Sequence, residues 1–261
     1  MRFAGRVALI TGGGGDIGSA TALALAREGA MVVVTDTRLE SAQRTAASIV
    51  AAGGMSECLA MDVLYEIGVE ATFDHVVERH GRVDILVNLA GDSLIVRSVD
   101  CPVDEFDRIL RINVTGQFIT ARAAARRMLK RGEGGSIVTV SSIHGYGGIP
   151  RRAAYTSSRS AVINLTRTLA VEWALDGIRV NCVAPSWTMT RALRGDIASG
   201  TIDLDELVER TPMGRLPQVD DIADVVLFLA SDASRMVTGI TVPIDGGVTA
   251  YIGPRGQPSM A

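Results

Sequence analysis

Ser142, Tyr155 and Arg159 are spaced to form a proton-transfer centre. A phenol four residues before a guanidinium shares one helix face with it. A free phenol titrates near pH ~10, so one that exchanges protons at neutral pH needs a fixed cation beside it. Far upstream, Thr11-Gly12-Gly13-Gly14-Gly15-Asp16-Ile17-Gly18 follows an apolar run at 7–10. A glycine-rich turn between a strand and a helix aims backbone N–H groups and the positive helix end at a pyrophosphate. A dinucleotide that carries hydride and a phenol that carries a proton together imply alcohol–ketone chemistry.

These residues need a scaffold that brings positions 12–18 and 142–159 to one edge. Short apolar, β-branched runs at 7–10, 31–35, 58–61, 85–88, 136–141, 179–183 and 241–244 read as strands. Near-continuous apolar strands suit a parallel sheet covered on both faces. Segments of helical period lie between them, among them 19–28, 40–52, 69–79, 105–130 and 153–174. The alternation implies right-handed βαβ units. The expected fold is α/β: one Rossmann-like doubly wound domain over residues 1–252, with a seven-stranded parallel sheet and helices on both faces. The stretch 188–217, with Gly195, Gly200, Pro212 and Gly214, breaks the rhythm and reads as a substrate lid. Residues 253–261, rich in glycine and proline, read as a C-terminal arm.

Composition bounds the function. The 261 residues are 47% hydrophobic and 21% charged, which suits a globular chain. A formal charge of −3 leaves no basic stripe for nucleic acid. No uncharged apolar run is long enough to span a membrane. Cys58, Cys101 and Cys182 are widely spaced, without a CxxC pair. They fit reduced thiols in a cytoplasmic protein, and no metal-ligand set is expected.

The second strand leads into Asp36, 18 residues after Gly18. That is close to the spacing at which a carboxylate reads ribose hydroxyls. Such a carboxylate repels a 2′-phosphate, which favours NAD over NADP. Arg38 pulls the other way, since an arginine nearby could accept that phosphate. Asp62-Val63 and Asn88 follow the third and fourth strand runs, where polar groups face the ligand crevice.

With these residues in place, the chain resembles the short-chain dehydrogenase/reductase family along nearly its whole length. The TGxxxGxG cradle matches at Thr11, Gly12 and Gly18, with Asp16 in place of the middle glycine. Asp62-Val63 matches the adenine-pocket pair. Asn88-Leu89-Ala90-Gly91 matches the NNAG motif, with leucine for the second asparagine. Asn113 resembles the mid-helix catalytic asparagine, and Ser142 and Tyr155 the catalytic pair. Asn181-Cys182-Val183-Ala184-Pro185-Ser186 matches Asn-x-Val-x-Pro-Gly, with Ser186 for the glycine. Val242-Pro243-Ile244-Asp245-Gly246-Gly247 matches the closing strand. The resemblance implies a cofactor site of Gly12, Gly14, Gly15, Asp16, Ile17, Asp36, Asp62, Val63, Asn88, Ala90, Gly91, Tyr155, Arg159, Pro185, Ser186 and Thr188. It also implies a homotetramer, and composition adds no membrane or nucleic-acid partner.

Arg159 replaces the lysine of Tyr-x-x-x-Lys. An arginine supplies the cation and ribose hydrogen bonds, but does not give up a proton at working pH. Two readings stay open. In one, the chain is an NAD-dependent oxidoreductase with Asn113, Ser142, Tyr155 and Arg159 as its catalytic set, and a ribose hydroxyl and water relay the proton. In the other, it binds NAD but turns over weakly and serves a binding or regulatory role. The substrate pocket is expected from 143–152, 187–200 and 92–99, with His144, Arg152, Trp187 and Arg191 as contacts. The cluster of Arg151, Arg152, Arg191 and Arg194 reads either as solubility or as a grip on a substrate anion. A sugar, polyol or hydroxy acid is the expected substrate.

Overall fold

A computed structural model of the chain describes residues 1–252. The expected C-terminal arm lies outside these residues. Seven strands form one sheet in the order β3-β2-β1-β4-β5-β6-β7, and every pairing is parallel. They are β1 (Val7–Thr11), β2 (Met31–Asp36), β3 (Met55–Ala60), β4 (Ile85–Asn88), β5 (Gly135–Val140), β6 (Ile178–Pro185) and β7 (Thr241–Ile244). The helices are α1 (Asp16–Arg27), α2 (Leu39–Ala51), α3 (Glu66–His80), α4 (Val103–Leu110), α5 (Gly116–Arg131), α6 (Ala153–Trp173), α7 (Arg191–Ala198), α8 (Leu204–Glu209) and α9 (Val219–Ala230).

Period-two alternation along buried strands sends successive side chains to opposite faces. Leu9, Leu86, Ile137 and Val180 therefore meet Phe73 of α3, Met128 of α5 and Leu169 of α6 on one face. Ile10, Val34, Val87 and Val138 meet Leu25 of α1, Ile49 of α2 and Val226 of α9 on the other. Two cores hold the sheet between them, and the crevice opens at the carboxyl edge where the strand order reverses between β1 and β4.

Three segments differ from the sequence expectation. The third strand runs Met55–Ala60 rather than 58–61. It is an edge strand, and its polar Ser56 and Glu57 hide the apolar pattern; Glu57 is held by His75 at 2.9 Å and His80 at 2.7 Å. The long helix expected at 105–130 is broken by a wider, π-type winding at Arg111–Thr115. Its cause is tertiary: the Asn113 amide is committed to the chain after β4, as described below. Within the expected irregular stretch at 188–217, α7 and α8 are regular helices. Each starts on a side-chain cap: Thr190 accepts from Leu193 N–H, and Asp203 accepts from Asp205 and Glu206 N–H groups.

Candidate active site

The glycine turn expected to cradle phosphate is built by close packing. Gly12 has φ +65°, and a Cβ there would meet Ala90 N at 3.0 Å. A Cβ on Gly18 would collide with the Gly12 carbonyl and sit 2.8 Å from Gly13 Cα. Glycine at 12 and 18 is thus what lets the turn fold onto β4 and α1 press against the turn. Thr11 Oγ1 accepts from the N–H groups of Leu89 and Ala90, each at 3.1 Å, which ties the ends of β1 and β4 together. Asn88 is fully buried, donates to the Gln117 carbonyl and accepts from Thr120 Oγ1 at 2.7 Å. Its role in the crevice is to lock β4 to α5.

Asp36 ends β2 beside this cradle. Its carboxylate accepts from Gly14 N–H at 3.1 Å and from Arg38 N–H at 3.0 Å. Asp62 accepts from Leu64 N–H at 2.9 Å, which closes the turn after β3. Val63 is buried against Gly116 at the start of α5.

The residues expected to transfer the proton stand on the loop after β5 and on α6. Ser142 Oγ is 5% exposed as part of its residue and lies 3.3 Å from both the Pro185 carbonyl and His144 Nδ1. It also accepts from His144 N–H at 3.2 Å. The Tyr155 ring is enclosed on several sides: His144 meets it edge-on with centroids 6.2 Å apart, and His144 meets Trp187 at 5.8 Å. Two guanidiniums flank the phenol, Arg159 at 4.9 Å and Arg152 at 5.8 Å from the ring centre. Burial, and secondarily the Arg152 charge, hold His144 below the usual histidine range, so the imidazole is neutral at neutral pH.

Arg159 is buried, donates from Nη1 to the Val140 carbonyl at 2.9 Å and has no partner on Nε. A Cβ on Gly91 would lie 2.7 Å from its Nη2 and 3.0 Å from Asn113 Oδ1. Gly91 is therefore the gap through which the guanidinium reaches the end of β4. Asn113 is fully buried. It accepts from Asp92 N–H at 2.8 Å and donates to the Asp92 carbonyl and to Ser158 Oγ, both at 2.9 Å. The structure places it as a brace between the β4 loop and α6, outside the cavity wall.

One cavity of about 400 Å³ is lined by Gly12, Gly15, Asp16 and Ile17 of the cradle and by Ser142, Tyr155 and Arg159. His144, Arg152, Pro185, Ser186, Trp187 and Thr188 also line it. The cradle and the phenol thus open on the same space. The residues present fit a nicotinamide dinucleotide: the cradle offers N–H groups at a helix start, while Ser186 Oγ and Arg159 Nε are buried donors without partners.

Arg191 is placed differently from expectation. It was expected at the substrate, but its backbone N–H and its guanidinium both engage Asp16. It clasps the start of α7 to the start of α1. Sequence reasoning placed Ala192, Leu193 and Asp196 only within the pocket stretch 187–200, without naming them; they bring α7 against the cavity. Their helical spacing after Thr190, a capping residue, was the signal available. It also missed Gln117, which shares the Val140 carbonyl with Arg159 at 3.1 Å.

A family model described as enoyl-(acyl carrier protein) reductase matches residues 14–249. The chain is 36% identical over 249 residues to a D-threitol dehydrogenase of Mycolicibacterium smegmatis, covering 95% of each chain. It is 38% identical over 253 residues to a cis-4-hydroxycyclohexanecarboxylate dehydrogenase of Sinomonas cyclohexanicum, covering 95% of this chain and 98% of that one. The crystal structure of an NAD+-bound xylitol dehydrogenase matches with a TM-score of 0.89 and 35% identity, over 95% of this chain and 100% of that chain.

Proposed function

Because this chain belongs to the short-chain dehydrogenase/reductase family, we propose that it is an NAD-dependent oxidoreductase that interconverts a secondary alcohol and a ketone. The carrying observation is the shared cavity, in which the phosphate cradle, Ser142 and Tyr155 line one space. When bound, the nicotinamide ring supplies the hydride acceptor or donor.

The chain's own groups handle the oxygen and its proton. Tyr155 takes the hydroxyl proton during oxidation and returns it during reduction. Ser142 Oγ holds the same substrate oxygen; its 3.3 Å bond to the Pro185 carbonyl is long and readily exchanged for one to substrate. Neutral His144, donating its backbone N–H to Ser142 Oγ, keeps that hydroxyl in place. Arg159 stays protonated and acts as a fixed charge beside the phenol, not as a proton relay. Asn113 is a positioning residue that joins the β4 loop to α6.

Asp36 supports NAD over NADP, since its carboxylate is anchored on the cradle where an adenosine ribose would lie. No helix of the described residues is long and apolar enough to cross a membrane. The homotetramer belongs to the same reading. Phe118 of α5 and Val171 of α6 are 36% and 81% exposed, which leaves apolar surface on the two helices that would pair between copies. The test is NADH formation from a panel of polyols, hydroxy acids and simple secondary alcohols. Turnover of none of them, with NAD still bound, would overturn the enzymatic reading.

A further inference from the structure

Four arginines near the pocket raise the question of which, if any, faces substrate, and the structure separates them. Arg191 is committed to Asp16. Arg194 donates to Gln218 at 3.3 Å and does not line the cavity. Arg151 is exposed and also outside the cavity wall. Arg152 alone of the four lines the cavity. Its guanidinium carbon stands 5.8 Å from the Tyr155 ring centre. No carboxylate of the described residues lies within ion-pair distance of it.

The backbone before it is unusual in a way that aims it. Arg151 has φ +66° and is the one non-glycine residue of the described chain with positive φ. Its carbonyl accepts from Val96 N–H at 2.9 Å, which pins the bend. A non-glycine residue in the left-handed region persists where its surroundings over-determine it, and such positions cluster at functional sites. Arg152 follows directly and opens α6 as its N-cap residue, so the bend delivers this side chain to the same helix that carries Tyr155 and Arg159.

The remaining charges of the cavity wall are few. They are Arg159 at the cofactor end, Asp16 paired with Arg191, and Asp196, exposed on α7 at the lid. A polyol would leave Arg152 without a counter-charge in a pocket walled by Trp187 and His144. We propose that Arg152 binds a carboxylate, and that the substrate is a short hydroxy acid whose carbinol sits on Tyr155 and Ser142. This rests on the oxidoreductase reading above. The closeness of the guanidinium to the phenol sets the length: the acid group must be only a few bonds from the reacting carbon. A guanidinium suits a carboxylate because two parallel N–H groups meet its two oxygens. A sulfonate presents similar oxygens and is the other source of the same chemistry.

The experiment compares NAD-linked oxidation of 2-, 3- and 4-hydroxy acids, their methyl esters, matched hydroxyalkyl sulfonates and neutral polyols by wild type, Arg152→Lys and Arg152→Gln. The expected result is a kcat/KM for one free acid at least about tenfold above that of its ester. Arg152→Gln should erase that ratio, mainly through KM, and Arg152→Lys should restore part of it. A ratio near one in wild type, or a preference untouched in Arg152→Gln, would overturn the proposal while leaving the oxidoreductase reading intact. If no alcohol is oxidised, thermal shifts of the NADH-loaded protein by the same acids decide the point separately. A shift lost in Arg152→Gln supports the anion site, and no shift in wild type overturns it. A sulfonate preferred over every carboxylate would keep the anion site and overturn the hydroxy-acid assignment.

Discussion

Arg159 lies across the face of Tyr155, with its guanidinium carbon 4.9 Å from the ring centre, one helical turn along α6. It is 8% exposed, and no carboxylate of the described residues pairs with it. A buried cation without a counter-ion costs stability in the free protein. In the proposed reaction the same charge offsets the negative charge that develops on the phenol oxygen when its proton leaves.

These two effects separate in a substitution. Arg159→Met keeps the apolar stem and removes the charge. The Val140 carbonyl does not become an orphan, because Gln117 still donates to it at 3.1 Å. We expect the methionine variant to be as stable as wild type without cofactor, or more stable by about 1 kcal/mol. NAD affinity and turnover should both fall. Arg159→Lys should keep the fold and give equal or higher activity. Denaturant melts, NAD titration and rates measure all three. A methionine variant with unchanged NAD affinity and rate would mean that Arg159 serves packing alone.

The proposed preference for NAD rests on Asp36. Its carboxylate accepts from Gly14 N–H within the cradle, so a 2′-phosphate would have to approach an anchored negative charge. NADH should bind at least about tenfold more tightly than NADPH, which corresponds to about 1.4 kcal/mol. Asp36→Asn should narrow the gap. Fluorescence titration of both cofactors reads it directly. Tighter NADPH binding would assign the choice to Arg38.

Tyr155→Phe keeps the ring against His144 and both guanidiniums but removes the group proposed to exchange the proton. Turnover should drop by about 10²–10⁴-fold, the usual worth of a general acid–base, while NADH binding persists. Ser142→Ala should also slow turnover strongly. Near-native rates in the phenylalanine variant would move the proton transfer elsewhere, with His144 the first group to examine.

Much of this arrangement was legible in the residues because it depends on local constraints. Gly12 and Gly18 announce a backbone that packs on itself, and Val32, Val33 and Val34 announce a strand buried on both faces. What was hidden depends on partners far apart in the chain. The sequence of α4 and α5 reads as one continuous helix, and the break at Arg111–Thr115 comes from Asn113 reaching Asp92 on another element. Arg191 is expected at the substrate, and its pairing with Asp16, 175 positions away, cannot be read from the residues around it. Arg152 and Arg191 are indistinguishable as letters; what separates them is which carboxylate lies within reach.

His144 gives a test of the pocket's charge that does not need turnover. Burial comes first and the Arg152 cation second in holding its imidazole below the usual histidine range. In the unfolded chain the same group takes up a proton near pH ~6.5. Below that pH the unfolded state binds more protons at this position than the folded state, so stability falls as pH drops toward the folded value. Above pH ~6.5 the group is neutral in both states and contributes no slope. His144→Gln should therefore lose less stability than wild type between neutral and mildly acid pH, in paired denaturant melts. Arg152→Gln should move the His144 titration upward, seen by NMR of the ring protons. It should stop short of the free value, because burial remains the larger cause. A titration that stays in place in Arg152→Gln would mean that this guanidinium points away from the cavity, and the anion grip would lose its cation.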